Sequence, residues 1–150
     1  MSSLTATILI PTSGDRAELV RLSLGSILQQ SIQDFEAFII GDGVSGKSKE
    51  TLQEFARSDQ RVKFFDHPKH ASRGEPYRHE ALQEAKGRIV CYSCDRDLWL
   101  PHHLETLDEA LKEVDFANTL EFMVMEDGTI VSARMLDLAK KRHRMAMHPR

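Results

Sequence analysis

The sequence predicts an α/β fold of three layers: a mostly parallel, Rossmann-like sheet with helices on both faces. Three observations carry the prediction. Short apolar, β-branched runs alternate with stretches of helical periodicity over the first two thirds of the chain, a pattern whose crossovers make neighbouring strands parallel. Most of these runs are followed at their carboxyl ends by Pro, Gly or Asp, residues that break strands. The 150 residues, 41% hydrophobic and 29% charged, suit one domain over residues 1–150 with an adequate core.

The elements follow in order. Ala6 to Ile10 reads as a buried strand closed by Pro11. Arg16 to Gln30 carries Leu19, Leu22, Ile27 and Leu28 near helical spacing and is expected to cover one face of the sheet. Phe35 to Ile40 is a second strand, closed by Gly41-Asp42-Gly43, and Lys49 to Arg57 a second helix. Arg61 to Phe65 alternates as a short strand before the loop Asp66 to His70. Glu80 to Lys86 reads as helical, with Gly87 as its C-cap. Ile89 to Ser93 is the next strand, and Pro101 to Glu113 a helix with Pro at its start. The pattern then changes. Phe116 to Met125 and Thr129 to Ala133 flank Glu126-Asp127-Gly128, a hairpin turn, and Leu136 to Met147 reads as a basic terminal helix. There is no internal repeat and no linker.

Composition narrows the function classes. A net charge of −3 gives no case for nucleic acid or an anionic membrane. The segment from Arg134 to Arg150 is locally basic, which suits a solvated helix or contact with an acidic partner or a membrane surface. No apolar run approaches the roughly 20 residues that span a bilayer, and the N-terminus lacks the pattern of a signal peptide, so a cytoplasmic protein is expected. Cys91 and Cys94 form a Cys-x-x-Cys, but inside a strand-like run they face opposite ways, and a zinc site lacks a second cysteine pair. Buried thiols are the expectation.

Two segments carry chemistry. An apolar strand runs into Asp95 and Asp97, with Arg96 between them and a helix beginning near Pro101. Paired carboxylates at a strand end suit Mg²⁺ or Mn²⁺ together with substrate phosphates; the alternative is an acidic loop that caps the helix. Gly41 to Ser48 matches the phosphate-loop pattern of nucleotide triphosphatases, between a strand and a helix as that motif requires. Asp42, however, places a carboxylate inside a cradle that works by presenting positive potential to phosphates.

A different resemblance covers more residues. Ala6 to Thr12, Leu24 to Glu36 with its Ser-x-Leu-x-Gln and Asp-Phe-Glu, and Ile39 to Gly43 resemble the opening of family 2 glycosyltransferases. Tyr77 to Leu82, Ala85-Lys86-Gly87 and Cys94 to Pro101 match its later blocks in order, so the resemblance spans roughly residues 5 to 107. It implies the GT-A nucleotide-sugar fold and transfer of a sugar, with inversion, from a nucleoside diphosphate donor to an acceptor hydroxyl. A UDP-sugar is the favoured donor, and the acceptor is open. Carried over, Pro11 and Thr12 lie beside the nucleotide, Asp42 meets the base or ribose, and Arg78 meets the diphosphate. Asp95 and Asp97 hold ribose and a divalent metal, Mg²⁺ or Mn²⁺.

Three departures stand out. The family's Asp-Asp on strand two is Gly41-Asp42; Arg96 interrupts the acidic cluster, where it would compromise a metal ligand and could stand in as a fixed cation; and the second half that supplies the general base is expected to be absent. Glu126-Asp127 copies an acidic pair of that half but reads as a turn. The catalytic base is unassigned, and a partner subunit or homo-oligomer is one way to complete the site. A phosphate-loop NTPase or kinase and a non-catalytic nucleotide-sugar-binding module are the competing readings.

Overall fold

The computed structural model describes residues 4–14, 16–133 and 140–141. Apart from Lys140 and Lys141, the predicted helix Leu136–Met147 therefore lies outside the described residues. The chain divides into two compact units, Met1–Asp108 and Glu109–Arg150.

In the first unit, β1 (Leu4–Thr12), α1 (Ala17–Leu28), β2 (Phe35–Asp42), α2 (Gly46–Ser58), β3 (Val62–His67), α3 (Glu75–Leu82) and β4 (Gly87–Tyr92) alternate, and α4 (His103–Ala110) begins. The sheet order is β3-β2-β1-β4, with every neighbouring pair parallel. The chain steps from β1 to β2 to β3 in one direction, then returns to place β4 on the other side of β1. Right-handed crossovers therefore send α1 and α2 to one face and α3 to the other. Leu9, Phe38 and Ile40 pack with Ala81 of α3. Ile8, Ile10 and Ile39, fully buried, point the opposite way by strand alternation. The two central strands are covered on both faces, which is why they read as unbroken apolar runs. Strand β4, at the edge, instead alternates, with Ile89 and Cys91 buried and Arg88, Val90 and Tyr92 exposed.

Several sequence expectations change. The buried stripe of α1 is Ala17, Val20, Ser23, Leu24 and Ile27, whereas Leu19 and Leu22 are exposed. The helix is turned because two of its inward positions are polar. Ser23 donates to the Cys94 carbonyl at 3.2 Å, and Ser26 accepts the Trp99 amide at 3.1 Å. Helix α3 starts at Glu75 rather than Glu80, after Gly74 at φ 70° and with Pro76 in its first turn. Gly87 is the first residue of β4, not a helix cap. A Cβ there would lie 2.1 Å from the Thr7 nitrogen, so only glycine lets β4 approach β1. Helix α4 begins at His103, with Pro101 in the preceding turn. Both thiols are free; Cys91 is buried as expected, but Cys94 is exposed because it lies beyond β4 in the following loop.

In the second unit, β5 (Glu121–Val124) and β6 (Ile130–Ala133) form the expected antiparallel hairpin. The Gly128 amide donates to Met125 O at 2.9 Å, with Gly128 at φ 81°. Asp127 accepts the Thr129 amide at 2.9 Å, and that hydrogen bond holds its carboxyl below the ordinary range. Its carboxylate serves the turn.

Candidate functional site

In an open parallel sheet, ligands bind outside the carboxyl ends of the strands, where the strand order reverses. Here the reversal lies between β1 and β4. At that point Thr12 Oγ1 donates to Asp95 Oδ2 at 2.8 Å, joining residues 83 apart in sequence, with Thr12 4% and Asp95 5% exposed. The bond fixes the loop after β4 to the last residue of β1. Gln30, buried at the end of α1, braces the same loop further along: its Nε2 donates to Leu100 O at 2.9 Å, and its Oε1 accepts the Leu104 amide at 2.9 Å. This gives the Gln of the Ser-x-Leu-x-Gln pattern a structural role. It holds the segment that follows the acidic residues.

A cavity of about 370 Å³ opens at these strand ends. Of the residues singled out from sequence, Pro11, Thr12, Asp42, Arg78 and Asp95 all line it. Asp97 does not. Its Oδ2 accepts the Cys94 amide at 3.3 Å, and its own amide donates to Cys94 O at 3.2 Å, closing a tight turn. Asp42 is 4% exposed and doubly engaged, accepting from Lys69 Nζ at 2.5 Å and from the His70 amide at 2.6 Å. Burial pushes its pKa up, but the Lys69 hydrogen bond, the His70 amide and the Lys69 charge outweigh burial and hold it below the ordinary value. Gly74, at φ 70°, lets the β3–α3 loop pass over this carboxylate: a Cβ there would stand 3.1 Å from Asp42 Cβ. Arg78, half-buried on α3, donates to Arg73 O at 2.8 Å.

Sequence reasoning missed much of the lining. Arg16, Lys69 and Arg73 face the cavity together with Ser13 and Cys94, beside Arg96, which the sequence already set between the two aspartates. Lys69 and Arg73 lie in the loop after β3, and Arg16 in the loop after β1. The only signal available was position, since loops at carboxyl strand ends are where such a sheet builds its site. Arg16 Nη1 stands 3.8 Å from Asp95 Oδ2. Among the described residues, five cations thus surround two carboxylates, each already partnered.

A divalent ion needs hard oxygen donors converging on one point. Among the described residues, no three His, Cys, Asp or Glu side chains are grouped to hold a metal. Asp95 shares one oxygen with Thr12 and Arg16, Asp97 is turned onto its own backbone, and Arg96 stands between them facing the cavity. Without substrate phosphates, this donor set does not by itself make a site for Mg²⁺ or Mn²⁺. The phosphate-loop alternative fares no better on its own lysine. Lys47 is exposed on α2, paired with Glu18 at 2.8 Å, and does not line the cavity.

An uncharacterized glycosyltransferase of Methanocaldococcus jannaschii is 23% identical over 129 residues, 83% of this chain and 44% of that protein. The GalNAc(5)-diNAcBac-PP-undecaprenol β-1,3-glucosyltransferase of Campylobacter jejuni is 26% identical over 107 residues, 71% of this chain and 34% of that one. The chain spans less than half the length of these curated relatives. Among solved structures, the mannosyltransferase PcManGT of Pyrobaculum calidifontis, in complex with GDP-Man and Mn²⁺, is similar with a TM-score of 0.56 at 22% identity. The match covers 74% of this chain and 32% of that one. TarS 1–349 of S. aureus, in complex with UDP, gives a TM-score of 0.61 at 15% identity, over 73% of this chain and 32% of that one. These likenesses show a shared GT-A fold. The sequence model of glycosyl transferase family 2 matches residues 7–141, nearly the whole chain, and the chain belongs to that family.

Proposed function

We propose that the cleft binds a nucleoside diphosphate sugar, with a UDP-sugar the favoured donor, and that the chain supplies the donor side of an inverting glycosyl transfer to an acceptor hydroxyl. The observation that carries this is the Thr12–Asp95 hydrogen bond at the reversal point of the sheet, inside a cavity lined by five cations. Family membership and two neighbours whose complexes hold GDP-Man and UDP support a nucleotide-sugar ligand. In this reading Asp95 and Thr12 meet the ribose, Asp42 the nucleoside, and Arg78 the diphosphate, for which a guanidinium fork is suited. Two unbridged cysteines go with a cytoplasmic setting.

The acceptor side is supplied elsewhere, by residues outside the cleft or by a partner subunit. Among the described residues no His or Glu lines the cavity, and both of its carboxylates are hydrogen-bonded within the protein, so none of these is poised as a general base. The same commitment favours a second reading, a nucleotide-sugar-binding module without turnover. Sugar transfer by the chain would exclude it. Thermal shift with UDP, GDP and their sugar conjugates tests the binding common to both readings. A ligand at a hundredfold excess over Kd stabilises the native state by about 2.7 kcal/mol. A panel in which no nucleotide shifts the transition would overturn the proposal.

A further inference from the structure

We infer that this cleft neutralises the diphosphate with arginine in place of a divalent ion, with Arg96 between the two strand-end aspartates and Arg16 and Arg73 completing the positive wall. The inference rests on the donor-binding reading above and concerns how that site manages charge.

Its ground is the balance of charge around the cavity. Arg16, Lys69, Arg73, Arg78 and Arg96 face Asp42 and Asp95, a surplus of three positive charges in a protein whose net charge is −3. Lys69 is matched by Asp42, and Arg16 lies near Asp95. Arg78 has only Glu75, 3.8 Å away and exposed. Arg73 and Arg96 have no carboxylate partner among the described residues. Clustered arginines repel one another, and an anion entering between them relieves that repulsion. A divalent cation entering the same space adds to it.

Position makes Arg96 the central member. It occupies the middle of the Asp95–Asp97 segment, held by the Thr12–Asp95 bond on one side and by the Cys94–Asp97 turn on the other. Its backbone is therefore fixed at the strand end, while its side chain is exposed to the cavity. A guanidinium stays charged at any working pH and offers paired donors to phosphate oxygens. Unlike a metal, it needs no convergent carboxylates, and among the described residues no three metal-ligating side chains are grouped.

Isothermal titration of the full chain with UDP and with GDP, in EDTA and in Mn²⁺, tests the assignment. Wild type is expected to bind with affinities equal within about twofold in the two buffers. Arg96→Gln is expected to lose roughly tenfold or more in EDTA, the loss of a hydrogen bond to a charged group. Arg96→Asp is expected to lose binding in EDTA and recover it with Mn²⁺, because it places a third carboxylate at the strand end. Residue 96 is exposed, so unliganded thermal transitions should be unchanged and report a folded variant. Binding by wild type only with Mn²⁺ would overturn the inference and leave the donor reading standing. Metal-independent binding that Arg96→Gln does not weaken would remove Arg96 from the role, as would an Arg96→Asp variant that binds tightly in EDTA. No binding of either nucleotide in either buffer would overturn the donor reading itself, and the inference with it.

Discussion

Asp42 is a buried carboxylate kept ionised by its neighbours, and that makes it sensitive to acid. Its pKa in the folded protein lies below the ordinary value of 3.8, burial being outweighed by Lys69 and the His70 amide. A carboxyl with a depressed native pKa contributes stability that is present above its unfolded pKa and lost as pH falls through the folded one. Asp42→Asn retains an acceptor for the His70 amide and removes the counter-charge of Lys69. It is expected to destabilise the protein by about 1–3 kcal/mol at neutral pH and to flatten the loss of stability below pH 3.8. Urea unfolding of both proteins across that range checks it, and superimposable acid profiles would count against the role. The two thiols give a second residue-level expectation. Burial, then the charge of Asp108, pushes Cys91 up to about 11, and burial, then Asp97, raises Cys94. Both are therefore thiols at neutral pH, and access decides which reacts. A maleimide should modify exposed Cys94 in the native protein and Cys91 only on unfolding. Because Cys94 lines the cavity, saturating UDP should slow its labelling, as peptide mass mapping would show. Labelling of both at one rate would contradict the burial of Cys91.

At the scale of elements, two glycines of opposite meaning test the packing of the sheet against its helices. At Gly87 an added Cβ meets backbone atoms of Ala6 and Thr7 at 2.1–2.2 Å, and the Gly87 amide already donates to Thr7 Oγ1 at 2.9 Å. Backbone in a central strand has no room to shift, so Gly87→Ala should cost about 3 kcal/mol. Gly25, within α1, has nothing within 4 Å of its would-be Cβ, and Gly25→Ala should gain about 0.5–1 kcal/mol. Denaturant midpoints of the two variants should move in opposite directions; a neutral Gly87→Ala would mean that β4 does not lie so close to β1. Gly87 also shows where sequence reading stops. A glycine after a helical run reads as a cap, and nothing local reveals that another strand passes against it. Strands β1 and β2 were legible because burial on both faces leaves an unbroken apolar run, and β3 because an edge strand alternates. The face of α1 was not, since Ser23 and Ser26 take inward positions for hydrogen bonds made to residues some seventy positions away. The start of α3 was hidden for a similar reason: Arg73 at φ 52° and Gly74 at φ 70° shape the loop around Asp42, a tertiary neighbour.

Across the whole molecule, the fold gathers what the sequence scatters. Thr12, Asp42, Arg78 and Asp95 come from the ends of β1 and β2, from α3, and from the loop after β4, and a parallel sheet brings all such ends to one rim. Their convergence was legible from motif order. Three further cations of the lining were not: Lys69 and Arg73 lie in a loop whose sequence carries no periodicity, and Arg16 read only as the start of a helix. These cations make the cleft positive in a chain of net charge −3, so the positive field there is local. Such a field is screened by salt: the Debye length falls from about 10 Å at 0.1 M to about 3 Å at 1 M ionic strength. UDP affinity should therefore fall steadily as salt rises, whereas any binding of uridine, which lacks the phosphates, should hardly change. The location of the responsible charge can be tested with two lysines of the same type. Lys47, paired with Glu18 on α2 and outside the cavity, should be dispensable, so Lys47→Ala should keep both the affinity and the salt slope of wild type. Lys69→Ala removes a cleft cation and also frees Asp42, leaving a buried carboxylate facing the incoming diphosphate. It should weaken UDP binding at low salt by tenfold or more and flatten the slope, converging on wild type at high salt. Titration calorimetry of the three proteins over that salt range decides it. A strong effect of Lys47→Ala would return the phosphates to the loop at 41–48, and a flat salt dependence in wild type would mean that the positive rim is not where the diphosphate binds.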